Sequence, residues 1–308
     1  MLHTDIDLPV APALVEPPRE RSRRSLVQRV GIGAMGTAIA GSIAGVVASS
    51  SAAEAAPPTD DDIFNFALNF EYLGAEYYLR ALTGSGLAAN LLTGTGTQGT
   101  VTGGSVVPWN GSAIEAFAQR LAIDEMAHVE FIRAATGTAA IAEPSIDLGT
   151  AWSVLARAAG LINASQTFNP FGDPISFLIG AYVIEDVCVT ALAGAAALLT
   201  GPNNIAAAAG LLGTESYQAG AIRTLLSDLG AGQVTDAISA LRAKLSGVAD
   251  DIGTTISGNA YNIVPNDTNG LVFRRTPAQV LNIAYGGATS APYGFFPNKV
   301  NGVITSNA

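Results

Sequence analysis

Apolar residues recur at helical spacing over four long segments of the chain, and polar residues occupy most of the intervening positions. In Gly111–Thr136, for example, Ile114 and Ile132 belong to one apolar stripe of a helix with about 3.6 residues per turn. Asp173 followed by Pro174 is typical of a capped helix start. The pattern predicts four long helices, at Asp60–Leu82, Gly111–Thr136, Asp173–Thr200 and Asn203–Leu229.

Each of the four stripes contains one carboxylate near its middle. In the second helix, His128 follows Glu125 by three residues, so both side chains share the apolar face. The other three helices contribute Glu71, Glu185 and Glu215, and Gln218 follows Glu215 at the same three-residue spacing. One inward carboxylate on each of four helices is stronger evidence for a shared functional site than any single carboxylate.

The first helix offers two candidate carboxylates, and the helical period separates them. Glu76 lies about 140° around the helix from Glu71. It is four residues before Arg80, at salt-bridge spacing. We therefore expect Glu76 to be a solvated partner of Arg80 and Glu71 to point inward.

The segments between and after these helices are shorter or richer in turn residues. Thr83–Asn110, which is rich in glycine and threonine, is expected to form a long loop with a small hairpin at Thr100–Val107. Further helices are predicted at Thr150–Thr167 and Val234–Gly247. The turn-rich remainder, Val248–Ala308, is expected to wrap the bundle instead of forming a second core.

Composition and charge exclude several classes of protein. The 308-residue chain has 49% hydrophobic and 13% charged residues, which is typical of a packed helical protein and not of a disordered one. A net charge of −10 argues against nucleic acid as a partner. Cys188 is the only cysteine, so no intramolecular disulfide can form. Cys188, Tyr78 and Tyr182 are expected to be core residues.

Residues 1–56 have the layout of an export signal. Arg23 and Arg24 precede an uncharged run, Val30–Ala53, and small residues around Ala55 form a cleavage site. Paired arginines are typical of a twin-arginine (Tat) signal. The alternative is an uncleaved membrane anchor, which the glycines in the run disfavour. We therefore expect export to the periplasm, cell envelope or extracellular space, without a stable membrane span after cleavage.

His128 would be the only imidazole of the cleaved protein, because the other histidine, His3, lies in the leader. A buried pair of ionisable groups such as Glu125 and His128 costs free energy unless a partner compensates it. A metal ion is one such partner, and a simple hydrogen bond between the two side chains is the alternative. The segment alone leaves both interpretations open.

Several stretches resemble the ferritin-like domain of the desiccation-related proteins. They are Asn65–Leu73, Asp124–Val129, Gly180–Asp186, Arg275–Ile283 and Gly294–Lys299. The resemblance covers nearly the whole cleaved chain. It implies a mainly α protein with a ferritin-like four-helix bundle at residues 57–230, an extra helix in the crossover, and a turn-rich C-terminal extension at residues 231–308 that packs on the bundle.

The resemblance also implies a dimetal carboxylate centre, built from two glutamates and two Glu-x-x-His motifs. Carried across, one metal site contains Glu71, Glu125, His128 and Glu215. The other contains Glu185, Glu125, Glu215 and Gln218. Gln218 departs from the family pattern, which has histidine there, so the second site has oxygen ligands only. Imidazole suits iron and a carboxylate set tolerates manganese, so we expect one or two Fe or Mn ions per chain, with the second site incomplete.

Two functional hypotheses follow from the resemblance. The first is an exported stress-related or desiccation-related metalloprotein with oxidoreductase chemistry on oxygen, peroxide or ferrous iron. The second is a non-catalytic structural or protective envelope protein that uses the bundle as a scaffold. The retained carboxylates favour the first and Gln218 favours the second, so the sequence leaves open whether the chain is an enzyme. Metal ions are the expected partners, and a homo-oligomer is compatible with the fold.

Overall fold

Seven α-helices make up most of the computed structural model, which describes residues 57–255, 261–287 and 293–307. The leader predicted at residues 1–56 lies outside the described residues. The helices are α1 (Asp60–Thr83), α2 (Ala113–Thr136), α3 (Thr150–Ala158), α4 (Pro174–Ala195), α5 (Pro202–Asp228), α6 (Gly232–Ser246) and α7 (Pro277–Ala284). The four long helices are α1, α2, α4 and α5, as the apolar stripes predict.

Local capping interactions explain where the long helices begin and end. Thr59 and Asp62 form a capping box at the start of α1, with each side chain accepting from the other residue's backbone N–H. The Asp173 carboxylate accepts from two backbone N–H groups in the first turn of α4. Gly84, with φ of 75°, ends α1 in the left-handed conformation that glycine adopts without strain.

The four long helices form the predicted ferritin-like bundle. α1 packs mainly against α2, and α4 packs mainly against α5. Contact between α1 and α4 joins the two pairs, whereas α2 and α5 touch only sparsely. The crossover from α2 to α4 carries the extra helix, α3. The mainly α, ferritin-like fold is therefore confirmed, including the helix in the crossover.

The loop between α1 and α2 does not form the expected hairpin. Its strand β1 (Val101–Gly103) pairs in parallel with β2 (Ile146–Leu148), which belongs to the crossover. The backbones of the two segments approach closely here: a Cβ atom added to Gly99 would lie only 2.1 Å from the Ser145 backbone nitrogen. The glycines that indicated a turn instead permit this long-range contact. The loop also contributes to the core, through Leu87, Val107 and Trp109.

The expectation of a solvated Glu76 is also wrong. Glu76 does pair with Arg80, at 2.6 Å, but its side chain is only 2% exposed. The loop after α1 folds back over it, and the Leu87 N–H donates to Glu76 Oε1 at 2.7 Å. A second buried carboxylate, Glu143 from the crossover, lies next to it. The covering loop lies outside α1, so the helical period of α1 could not predict that Glu76 is buried.

The crossover helix α3 is shorter than predicted. It ends at Ala158, not at Thr167, and Gly160 follows in the left-handed conformation with φ of 73°. The Arg157 guanidinium donates to the Gln166 carbonyl at 2.8 Å, which holds the chain as it turns away. Glycine at this place allows the reversal that stops the helix.

Buried ion pairs fasten the C-terminal extension to the bundle. Arg223 and Arg242 both contact Asp186 Oδ2, at 2.7 and 2.8 Å. Arg275 pairs with Asp250 at 2.9 Å, and its backbone N–H donates to the Thr190 carbonyl of α4. Breaking one partner of such a pair leaves a buried charge uncompensated, at a cost of about 3–5 kcal/mol. The contacts of Arg242 with Asp186 and of Arg275 with Thr190 attach the extension to α4, while Arg223 of α5 also donates to the Ile252 and Gly253 carbonyls of the extension.

Among the described residues, one stretch is long and apolar enough to cross a membrane. It is Pro174–Leu198, and 78% of its most apolar window is buried within the protein. The stretch coincides with α4, which is covered by α5, α1 and the extension. Its apolar character is that of a helix in the centre of a bundle.

Candidate metal centre

The four-helix bundle brings together four of the six predicted ligands. Glu71 comes from α1, Glu125 and His128 from α2, and Glu215 from α5. All four side chains are buried, and each offers one potential ligand atom within 4.8 Å of the others. The helical period predicted which face of each helix carries these ligands. The packing of α1, α2 and α5 then brings those faces together.

His128 lies at the centre of this cluster through its Nδ1 atom. Nδ1 is 3.1 Å from Glu71 Oε2, 3.1 Å from Glu215 Oε1 and 4.0 Å from Glu125 Oε1. The ring nitrogen carries at most one hydrogen, so it can donate fully to only one of these oxygens. The bond to Glu71 meets the geometric requirement, and both oxygens of Glu215 lack a hydrogen-bond partner in the described part of the chain.

The fifth predicted ligand, Glu185 on α4, lies against the same cluster. It is 1% exposed, and the Tyr78 hydroxyl donates a short hydrogen bond to its Oε1 atom. Its other oxygen has no hydrogen-bond partner among the described residues. Tyr78 therefore does more than fill the core. Its position seven residues after Glu71, on the same face of α1, is the signal that could have placed it here.

The sixth predicted ligand, Gln218, is tied to a residue that sequence reasoning passed over. Its amide Nε2 donates to Asp124 Oδ2 at 3.0 Å, and Asp124 is in turn paired with Arg120. A carboxylate paired with arginine accepts hydrogen bonds, which fixes the amide with its nitrogen toward Asp124. The amide Oε1 atom is buried without a partner in the described chain. Gln218 thus offers a carbonyl oxygen and no ring nitrogen.

The cluster buries more carboxyl groups than its single imidazole can neutralise. Burial, and then the charges of Glu215 and Glu185, raise the pKa of Glu125 well above its ordinary value. Burial and the charge of Glu215 likewise raise the pKa of Glu185. Burial alone would lower the pKa of His128, but the adjacent carboxylates of Glu215 and Glu71 outweigh it and raise the pKa to about 10. The cluster demands compensating positive charge.

A divalent cation matches this donor set. Buried oxygens without partners in the described chain occur on Glu125, Glu185, Glu215 and Gln218, and those of Glu125 and Glu215 lie beside the His128 imidazole. Buried polar atoms are ordinarily hydrogen-bonded, so their grouping indicates a missing partner. Gly74 of α1 makes room for the cluster, because a Cβ atom there would lie 2.3 Å from Glu125 Oε2. Carboxylates with one imidazole are ligands that iron and manganese accept.

The remaining candidates fall outside the cluster. The Tyr182 hydroxyl shares a hydrogen bond with the Ser239 hydroxyl at 2.7 Å. The Arg242 guanidinium carbon lies over the Tyr182 ring, 4.6 Å from the ring centre. Cys188 is a buried free thiol whose pKa is raised, first by burial and then by the charge of Glu215. Tyr182 therefore supports the C-terminal extension, and the Cys188 thiol is held neutral.

Comparison with known proteins agrees with this geometry. The ferritin-like domain profile matches residues 59–228. A ferritin-like catalase, Nec2 of Nesocodon mauritianus, is 28% identical over 269 residues, covering 80% of this chain and 84% of the relative. The desiccation-related protein PCC13-62 of Craterostigma plantagineum is 29% identical over 272 residues, with the same coverage. No solved structure gives a significant match. The four-helix bundle, the buried glutamate–histidine cluster and these matches show that the chain belongs to the ferritin-like domain family, among its desiccation-related members.

Proposed function

We propose that this chain is an exported metalloprotein whose buried carboxylate centre performs oxidoreductase chemistry on hydrogen peroxide. The observation that carries the proposal is the convergence of partnerless carboxylate oxygens on the single described imidazole, His128. The name of the relative from Nesocodon mauritianus, a ferritin-like catalase, supports peroxide as the substrate.

The proposed ligands form two overlapping sets, one for each metal ion. Glu71, Glu125, His128 and Glu215 would hold the first ion. Glu185, Glu125, Glu215 and Gln218 would hold the second, more weakly, because an amide oxygen replaces the imidazole. A bound iron or manganese would supply the electron transfer that peroxide oxidation and reduction require. Binding would displace the protons that the raised pKa values of Glu125 and Glu185 now retain.

The protein's own groups would select a small substrate and supply protons. Glu125 and Glu215 are at most 1% exposed, which favours a substrate as small as peroxide or dioxygen over a larger one. Tyr78 and Glu185 form a donor–acceptor pair at one wall of the cluster. Because burial raises the pKa of Tyr78 well above its ordinary value, its hydroxyl would keep a proton at this wall at neutral pH, even after Glu185 has given up its own proton to a metal.

The second candidate is a non-catalytic envelope protein that uses the bundle as a scaffold. One observation favours it: Gln218 is engaged by Asp124, so position 218 offers no imidazole to a second metal. Under this alternative the first site binds a structural ion, and peroxide is not consumed.

Metal content and peroxide turnover distinguish the two candidates. Elemental analysis of the natively produced chain should give at least one equivalent of iron or manganese, and the loaded protein should release dioxygen from peroxide. Glu125→Gln should remove both properties. Glu130→Gln is the matched control, because Glu130 lies on the same helix but is exposed. A loaded protein without turnover would favour the scaffold, and a wild type without metal would refute the centre.

Export belongs to the same proposal and rests on the leader alone. Arg23 and Arg24 precede a run rich in glycine and alanine, which is typical of a Tat signal. A route that carries folded proteins suits a chain that acquires its metal before export.

A further inference from the structure

An apolar chamber, partly open to solvent, lies against α1 and α4 of the bundle and is bounded on its other sides by α3, α6 and α7. Its volume is about 230 Å³, and its walls are almost entirely apolar. Side chains from these helices form the walls, including Leu155, Val187, Ile238, Leu241 and Ile283. Nothing in the proposed peroxide chemistry uses this chamber. Cys188 and Phe70 belong to its wall and also border the small void next to Glu71, so they separate it from the carboxylate cluster.

The size of the chamber is that of a ligand site and not of a packing defect. Native interiors are close-packed, and voids larger than a water molecule are few. An engineered apolar cavity of about 150 Å³ stays dry and binds benzene. The chamber here is larger, at about 230 Å³, so it has room for a molecule larger than benzene.

The polar groups of the wall define the charge of the ligand. Arg242 is in the wall, but its guanidinium is already paired with Asp186 at 2.8 Å and Asp251 at 2.8 Å. No positive charge is therefore spare for a carboxylate ligand. An uncharged ligand is the one that this wall accepts without leaving a buried charge.

The ring of Trp152 closes one side of the chamber. It is 2% exposed, and it packs edge-on against Phe295 with ring centres 4.6 Å apart. Its indole Nε1 atom has almost no accessible surface, so it offers no hydrogen bond to a molecule in the chamber.

We infer that this chamber binds an uncharged, medium-chain aliphatic molecule, such as an alkane, a ketone or an ester. Its hydrocarbon chain lies among the aliphatic side chains of α3, α6 and α7. The inference does not depend on the metal centre.

The first experiment locates the ligand with 2-octanone as the probe. Titration into the full-length chain should shift the methyl NMR signals of Ile238, Leu241 and Ile283 with saturation. Ala156→Phe, which places a benzyl group in the chamber, should abolish these shifts. Ala158→Phe is the matched control, because Ala158 is on the same helix but exposed and outside the wall. Equal binding by wild type and Ala156→Phe would overturn the inference, as would no binding by folded wild type.

The second experiment tests the chemistry of recognition. Octanoate should bind wild type at least tenfold more weakly than 2-octanone, since its charge finds no partner. Preference for octanoate would overturn the uncharged class.

Discussion

Gly74 offers the sharpest test of the carboxylate cluster, because its missing side chain is what admits Glu125. The Cβ atom of an alanine at position 74 would lie 2.3 Å from Glu125 Oε2 and 2.9 Å from Glu125 Cδ. An ordinary contact begins at 3.4 Å, so the carboxylate must retreat by about 1.1 Å. Gly74→Ala therefore displaces one predicted bridging ligand without altering any ligand residue.

The expected magnitudes follow from two opposing effects. Replacing glycine by alanine inside a helix stabilises it by about 0.8–1.0 kcal/mol. Forcing extra volume into a packed interior costs about 1–3 kcal/mol. The metal-free variant should therefore be about 1 kcal/mol less stable than wild type. Metal binding should suffer more, because ligand distances tolerate only about ±0.2 Å. We expect affinity for iron or manganese to fall at least tenfold.

The assay is metal titration together with urea unfolding of the metal-free protein. Gly210→Ala is the matched control, because Gly210 lies within α5 and nothing would be within 4 Å of its added Cβ atom. This control should gain about 1 kcal/mol and bind metal as wild type does. Shortening the ligand in Gly74→Ala/Glu125→Asp should restore part of the affinity. Wild-type affinity in Gly74→Ala would refute the placement of Glu125 as a ligand.

Four further predictions concern single groups. His128→Ala should abolish tight binding of transition metals and cost about 1–3 kcal/mol in the metal-free protein; unchanged metal content by elemental analysis would contradict the centre. Gln218→His should raise stoichiometry towards two metals per chain and strengthen peroxide turnover, and two tight ions already bound by wild type would contradict this. Burial and the Glu76 carboxylate raise the pKa of Glu143 from 4.5 to about 8. The native state then holds a proton that the unfolded chain has released, so the free energy of unfolding falls between pH 4.5 and 8, by at most about 1.4 kcal/mol per pH unit. Glu143→Gln should make the decline in urea unfolding at pH 5 to 8 shallower by that amount, and pH profiles parallel to that of wild type would refute it. Replacing Arg23 and Arg24 by lysine should block Tat export, whereas unchanged delivery of the chain would indicate another route.

Features that depend on neighbours along the chain could be predicted from the sequence. The four long helices follow from apolar residues at a period of about 3.6 and from local caps such as Asp173. The inward carboxylates follow from the same period, since a helix fixes which side chains share a face. The pairing of Glu125 with His128 on one face of α2 needed nothing beyond their spacing.

Features that depend on contacts between distant segments were decided only by the tertiary structure. The burial of Glu76 requires the loop at Leu87, and the partner of β1 is a strand more than forty residues away. The contacts of Tyr78 with Glu185 and of Gln218 with Asp124 each join two helices, and the helical period is silent about partners on another helix. A period fixes the direction of a side chain, whereas the packing of the helices fixes what that side chain meets.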